Sequence, residues 1–231
     1  MVAEVETGPM TSQTIADLRR YAVEKTANIS AGLQLDPVAR ELIRLATAVS
    51  VTSLDHDCIS TSIDRALSAG ASVKQVQEII ALTSGLGVHS LMVAETILLD
   101  AARSRGAIDP TLPLDNVQQA LWDKYIGTDP FWTGFSRELP GFLDAMLRLS
   151  PTMFEAFFAY CAVPWKTGTV RAWIKELAAM ACDACPTHCF GPGFRVHLAN
   201  AIALGASHEA ILETLDIAAA APNHTGYRIS P

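Results

Sequence analysis

Between positions 176 and 197 the chain gathers Glu176, Cys182, Cys185, His188, Cys189, Arg195 and His197 around one short loop. Imidazole can give and take a proton near neutral pH, and a nearby carboxylate can orient or charge it. An arginine can hold a substrate carboxylate through its fork of N–H donors. Two cysteines three residues apart lie on one helical face and can cycle through a disulfide if they reach the thiolate form. Cys182 and Cys185 have that spacing, and His188 and Cys189 follow just after Pro186. The same group could instead be small buried residues of an Ala-rich helix, or zinc ligands, although structural zinc sites usually draw ligand pairs from separated segments. His197 could equally be a core histidine with satisfied nitrogens, and Glu176 a structural partner that caps a neighbouring loop.

The elements that must position these residues repeat. Aligned without gaps at an offset of 135, residues 41–90 and 176–225 share ten identities in 50 positions. Among them are Glu41 with Glu176, Gly70-Ala71-Ser72 with Gly205-Ala206-Ser207, Glu78 with Glu213, and His89 with His224. In the first copy Asp36-Pro37 provides an N-cap and a proline for the first helical turn. Leu42, Ile43, Leu45, Ala46 and Val49 follow at helical spacing. After a break near Ser53–Asp55, a second helix is predicted from about Asp57 to Ala69, closed by Gly70. Ser72 and Gln75 form a capping box for a third. In the second copy the predicted helices run from about Val170 to Cys185, from about Phe194 to Leu204, and from Ser207 to about Ala220, with Gly191-Pro192-Gly193 as a turn. No alternating strand pattern occurs, so the chain reads as all-α. His89 and His224 are expected to make an inter-helix or subunit contact.

Between the copies, Pro110-Thr-Leu-Pro113 reads as a linker, which divides the chain into 1–109 and 110–231. The stretch from Trp122 to Trp173 then holds 12 of the 16 aromatic residues. These rings suit core and subunit packing or the apolar wall of a pocket, with Trp132, Trp165, Phe190 and Phe194 as candidates for substrate contact. Half of the residues are hydrophobic and 18% are charged, which suits extensive contact between subunits. The net charge of −7 comes with no basic stripe, so neither nucleic acid nor an anionic membrane is an expected partner. No uninterrupted apolar run reaches the ~18 residues of a membrane span. Met1–Thr14 reads as a short frayed arm rather than a secretory signal, and five cysteines, an odd number, fit a reducing, cytoplasmic setting.

In its second half, Lys175-Glu176-Leu177, His197 eight residues before Gly205-Ala206-Ser207, and Ala210-Ile-Leu-Glu213 resemble the carboxymuconolactone decarboxylase family, whose helical fold is shared with alkyl hydroperoxidase D-like proteins. Arg40-Glu41-Leu42, Gly70-Ala71-Ser72 and Val76-Gln77-Glu78 resemble the same pattern in the first half. The resemblance covers about residues 36–90 and 170–226. It implies an all-helical ring assembly, here a homotrimer of tandem chains arranged as a pseudo-hexamer. It also implies one of two chemistries. The peroxidase branch carries Cys-x-x-Cys-x-x-x-His with a Glu on the preceding helix. Here the His falls on His197, but the cysteines fall on Phe190 and Gly193; in the first copy the three positions are Asp55, Cys58 and Ser62. The decarboxylase branch uses no metal or organic cofactor. It implies His197 as general acid/base, Glu176 as its orienting group, Arg195 as carboxylate clamp and His188 as a second proton donor. The substrate would be a small cyclic or β-oxo carboxylic acid, and isomerisation or cyclisation through the same enolate is an alternative. A thiol peroxidase or disulfide reductase using Cys182, Cys185 and Cys189, or a non-catalytic ligand-binding ring protein, are the other expectations. His56 and Cys58 leave the first copy a weaker second site.

Overall fold

The computed structural model describes residues 12–226. Most of the expected N-terminal arm lies outside them, but Thr14 is ordered as the N-cap of the first helix, in a capping box with Asp17. All regular structure among the described residues is helical: α1 (Ile15–Thr26), α2 (Pro37–Val49), α3 (His56–Ser68), α4 (Val73–Ser84), a 3-10 turn (Gly85–Val88), α5 (His89–Ser104), α6 (Asn116–Tyr125), α7 (Pro130–Glu138), α8 (Phe142–Leu149), α9 (Pro151–Cys161), α10 (Val163–Thr167), α11 (Ala172–Ala184), α12 (Gly191–Ala203) and α13 (His208–Ala219).

Helices α2, α3 and α4 begin and end 135 residues before α11, α12 and α13. Local devices recur at the same offset. Gly70 and Gly205 both close a helix at positive φ, where glycine is cheapest. Leu54 and Cys189 both hold φ near +45°, a left-handed conformation that side chains rarely adopt. Ser72 and Ser207 both cap the third helix. One boundary differs from expectation: Gly191-Pro192-Gly193 is the first turn of α12 rather than a turn before it. Proline fits there because a helix's first N–H groups have no intrahelical acceptor.

The two copies embrace each other about a pseudo-two-fold relation. Counterparts touch: Arg171 pairs with Asp36, and Thr187 Oγ1 donates to the Thr52 carbonyl at 3.0 Å. The recurring glutamates each grip the other copy. Glu78 accepts from Lys175 Nζ at 2.9 Å and from Val170 N–H at 3.2 Å. Glu213 accepts from Leu35 N–H at 2.8 Å and pairs with Arg40. One hydrophobic core therefore runs through both copies, from Leu18 and Leu42 to Leu177 and Leu215, and the division at residue 110 does not partition it. Helix α11 lies at its centre; every residue from Ile174 to Ala184 is buried.

Helices α6–α9 form a second, aromatic core around Phe142, Met146 and Phe154, which meets α12 at Val196. The stretch 73–104 is long and apolar enough by composition to cross a membrane, but the 3-10 turn divides it into α4 and α5. Val93, Ile97 and Leu98 of α5 stay exposed.

Candidate functional site

Helices α11 and α12 pack side by side and bring Glu176 and His197 together. Glu176 Oε2 meets His197 Nδ1 at 2.6 Å, and Glu176 Oε1 accepts from Asn200 Nδ2 at 3.2 Å. The imidazole is 22% exposed, the carboxylate 8%. Both, with Asn200, line a cavity of about 500 Å³. Its walls are largely apolar. Trp132, Phe135, Phe157, Phe158 and Trp165 come from the aromatic segment, and Leu82, Leu86 and His89 from the end of the first copy. One cavity thus draws on both copies and on the segment between them. Burial alone would lower the His197 pKa, but its bond to Glu176, the Glu176 charge and the charge of Asp183 together raise it above the usual histidine value.

Close to His197 Nε2 lies Asp183, which is 0% exposed. Neither of its carboxylate oxygens has a hydrogen-bond partner. Three imidazoles surround it: His197 Nε2 at 3.9 Å from Oδ2, and His89 Nε2 at 3.7 Å and His188 Nε2 at 3.9 Å from Oδ1. Burial pushes the Asp183 carboxyl up to about 7, against the opposing pull of His197. His89 Nδ1 lies 2.8 Å from His188 Nε2. The His89 and His188 rings stack at 5.0 Å, and Phe190 stacks on His89 at 4.1 Å. Burial, then the neighbouring imidazoles, hold His89 down to about 3; burial also lowers His188. Among the described residues, His89, Asp183 and His188 are the set whose donor atoms converge closely enough to hold a metal ion, all within 4.8 Å of one another.

The structure separates several residues that the sequence groups together. Arg195 does not line the cavity; its Nε donates to Glu138 Oε2 at 2.5 Å, tying α12 to α7. His188 and Phe190 sit against His89 rather than in the cavity wall, and Phe194 is fully buried in the main core. Trp132 and Trp165 do line the cavity. Cys185 is the C-cap of α11, and its thiol donates to the Ala181 carbonyl at 3.3 Å. All five cysteines are free, and Cys182 and Cys185 are fully buried. Burial pushes the Cys185 thiol up to about 12 and the Cys182 thiol well above its ordinary value, and it raises Cys189 as well. Thiols held protonated are poor nucleophiles, so this pair is not poised for disulfide exchange.

Geometry also accounts for the missing cysteine at Gly193. A Cβ added there would come within 2.4 Å of Asp183 Oδ2 and 2.9 Å of the Phe190 ring. The buried aspartate occupies the room a side chain would need. Asp183, His89 and Asn200 are the site residues that sequence reasoning missed. The signal for Asp183 was a lone charge inside the apolar run Ala178–Ala184. His89 stood out only as the counterpart of His224.

The architecture is the all-α carboxymuconolactone decarboxylase type. No family model and no curated protein matches the chain. A solved structure does: a crystal structure at 1.70 Å resolution from Burkholderia xenovorans LB400, named as a gamma-carboxymuconolactone decarboxylase subunit. It is 29% identical, superposes with a TM-score of 0.70, and the match covers 90% of this chain and 91% of that one.

Proposed function

We propose that this chain is a decarboxylase-like enzyme in which His197 moves a proton at the wall of the aromatic cavity and Glu176 holds its ring. The observation that carries this reading is the 2.6 Å bond from Glu176 to His197 Nδ1. It fixes the ring and its charge from one side and leaves Nε2 without a hydrogen bond. Loss of carbon dioxide from a β-oxo acid breaks the bond to the carboxylate, and its electron pair passes into an enolate. Protonation of the enolate carbon by Nε2–H completes the reaction, with Glu176 stabilising the imidazolium before the proton is handed on. The apolar walls favour the charge-dispersed enolate over a hydrated carboxylate.

With Arg195 engaged by Glu138, no arginine or lysine among the described residues lines the cavity. The substrate class that fits is therefore a carboxylic acid with a sizeable apolar or aromatic body, anchored at one polar end by His197 and Asn200. The named function of the Burkholderia protein agrees with a decarboxylase assignment. We further propose that the exposed apolar face of α5 is a contact between subunits, as a ring assembly requires. Sedimentation of the wild type against Ile97→Glu checks this, with a shift to the monomer expected.

The reaction is tested with benzoylacetate and a series of ring-substituted analogues, following carbon dioxide release and deuterium incorporation at the α-carbon in D2O. Turnover by the wild type and its loss in His197→Ala are expected. Undiminished turnover in His197→Ala, or no release from any member of the series by the wild type, overturns the reading.

A further inference from the structure

We propose that His89, Asp183 and His188 form a binding site for a divalent first-row transition-metal ion of the zinc class. The three side chains come from three separated places: the first residue of α5, the last turn of α11, and the loop between α11 and α12. One donor atom from each lies within 4.8 Å of the others, the close convergence that a single ion demands.

The strongest observation is Asp183. It is wholly shielded from water, and neither oxygen has a hydrogen bond. Buried carboxylates normally take N–H or O–H donors, and one that has none is open to a partner from outside the chain, such as a bound ion. The nearby imidazole nitrogens, His89 Nε2 at 3.7 Å and His188 Nε2 at 3.9 Å from Oδ1, are too far for hydrogen bonds to it but close enough to become fellow ligands, with the ion displacing the 2.8 Å contact of His188 Nε2 with His89 Nδ1. His89 and His188 are pre-organised by their mutual stack and by Phe190. That lowers the cost of ordering them around an ion.

Two imidazoles and one carboxylate suit zinc or ferrous iron, whereas calcium and magnesium take oxygen donors. The pseudo-symmetric positions are Ala48, Ser53 and His224, which offer no such set.

Metal content is read without turnover, so this proposal stands or falls apart from the proposed reaction. The purified full-length protein is stripped with dipicolinate and titrated with Zn²⁺, and separately with Co²⁺. The expected result is about one equivalent bound per chain with a higher unfolding midpoint, since metal binding is folding free energy. Cobalt should give d–d bands without a thiolate charge-transfer band. His188→Gln and Asp183→Asn should each weaken zinc binding by about 100-fold or more, because even supporting residues of metal sites cost 10–100-fold. His188 is in a part-exposed loop, so its variant carries the comparison if Asp183→Asn does not fold. Failure of the wild type to bind Zn²⁺, a thiolate band from the Cys182–Cys189 segment, or unchanged affinity in His188→Gln overturns the proposal.

Discussion

The two copies of the repeat share a frame and differ in what they carry. Glu176, Asp183, His188 and His197 of the second copy correspond to Glu41, Ala48, Ser53 and Ser62 of the first. What both copies retain is what the frame needs: the capping serines, the closing glycines, the left-handed residues before the second helix, and Glu78 and Glu213 reaching across to the other copy. Glu41 keeps the position of Glu176, but its Oε1 takes Arg44 at 2.7 Å and its Oε2 is buried without a hydrogen bond. The carboxylate therefore belongs to the frame, and the proposed chemistry depends on the imidazole set opposite it in the second copy. His89 and His224 show the same divergence. His224 Nδ1 meets the Ser53 carbonyl at 3.1 Å, while its counterpart His89 meets His188, the residue that stands where Ser53 does.

The largest contrast should come from His197→Ala against Ser62→Ala. The first should lower turnover of the β-oxo acid series by about 100- to 10,000-fold, the usual worth of a positioned acid/base. The second should leave it unchanged, and steady-state kinetics on both variants checks the difference. Equal losses would mean that both copies carry sites.

The glutamate grips should differ next. Glu78 and Lys175 are 1% and 3% exposed in their side chains, whereas Arg40 and Glu213 are 27% and 17% exposed. Glu78→Ala, which strands a buried lysine, should cost about 3–5 kcal/mol of stability. Glu213→Ala should cost about 1 kcal/mol, as expected of a partly solvated pair. Urea unfolding measures both. The Glu78 pKa is also a pH handle. Burial would raise it, but Lys175, Thr169 and Thr167 together bring it down from 4.5 to about 2. A depressed carboxylate stabilises the fold above its unfolded pKa. That contribution should fade as pH falls from about 4.5 towards 2, and Glu78→Gln should flatten this window.

Gly193→Ala should destabilise by about 1–3 kcal/mol, because the new methyl meets a fully buried carboxylate. The corresponding Cys58→Ala should change stability by less than about 0.5 kcal/mol. The smallest effect belongs to Cys182→Ser combined with Cys185→Ser. It should leave turnover within about two-fold, since interchangeable small residues occur there in the first copy, Thr47 and Ser50. Abolished turnover with an intact fold would restore a thiol mechanism.

Much of the frame was legible because its signals are local. Asp36-Pro37, Ser72 with Gln75, and Gly70 each act within a few residues of themselves, and the structure places helix ends where they stand. The Gly191-Pro192-Gly193 segment misled for an instructive reason. Its composition favours a turn, but Gly193 is small to admit Asp183, a contact ten residues away in sequence. Arg195 misled likewise: proximity to His197 in sequence suggested a shared pocket, whereas Glu138 in α7 claims its guanidinium.

From its residues alone the chain determined a duplicated, capped helical unit, because periodicity, caps and a repeat offset are properties of short stretches, while the pairing of His197 with Glu176 was read from the family resemblance. Tertiary structure decided that the copies interlock into one core, that the aromatic segment closes over α11 and α12 to form the cavity, and that Asp183 lies dry among three imidazoles. Those outcomes depend on which distant surfaces exclude water from one another, and no window of sequence contains both surfaces.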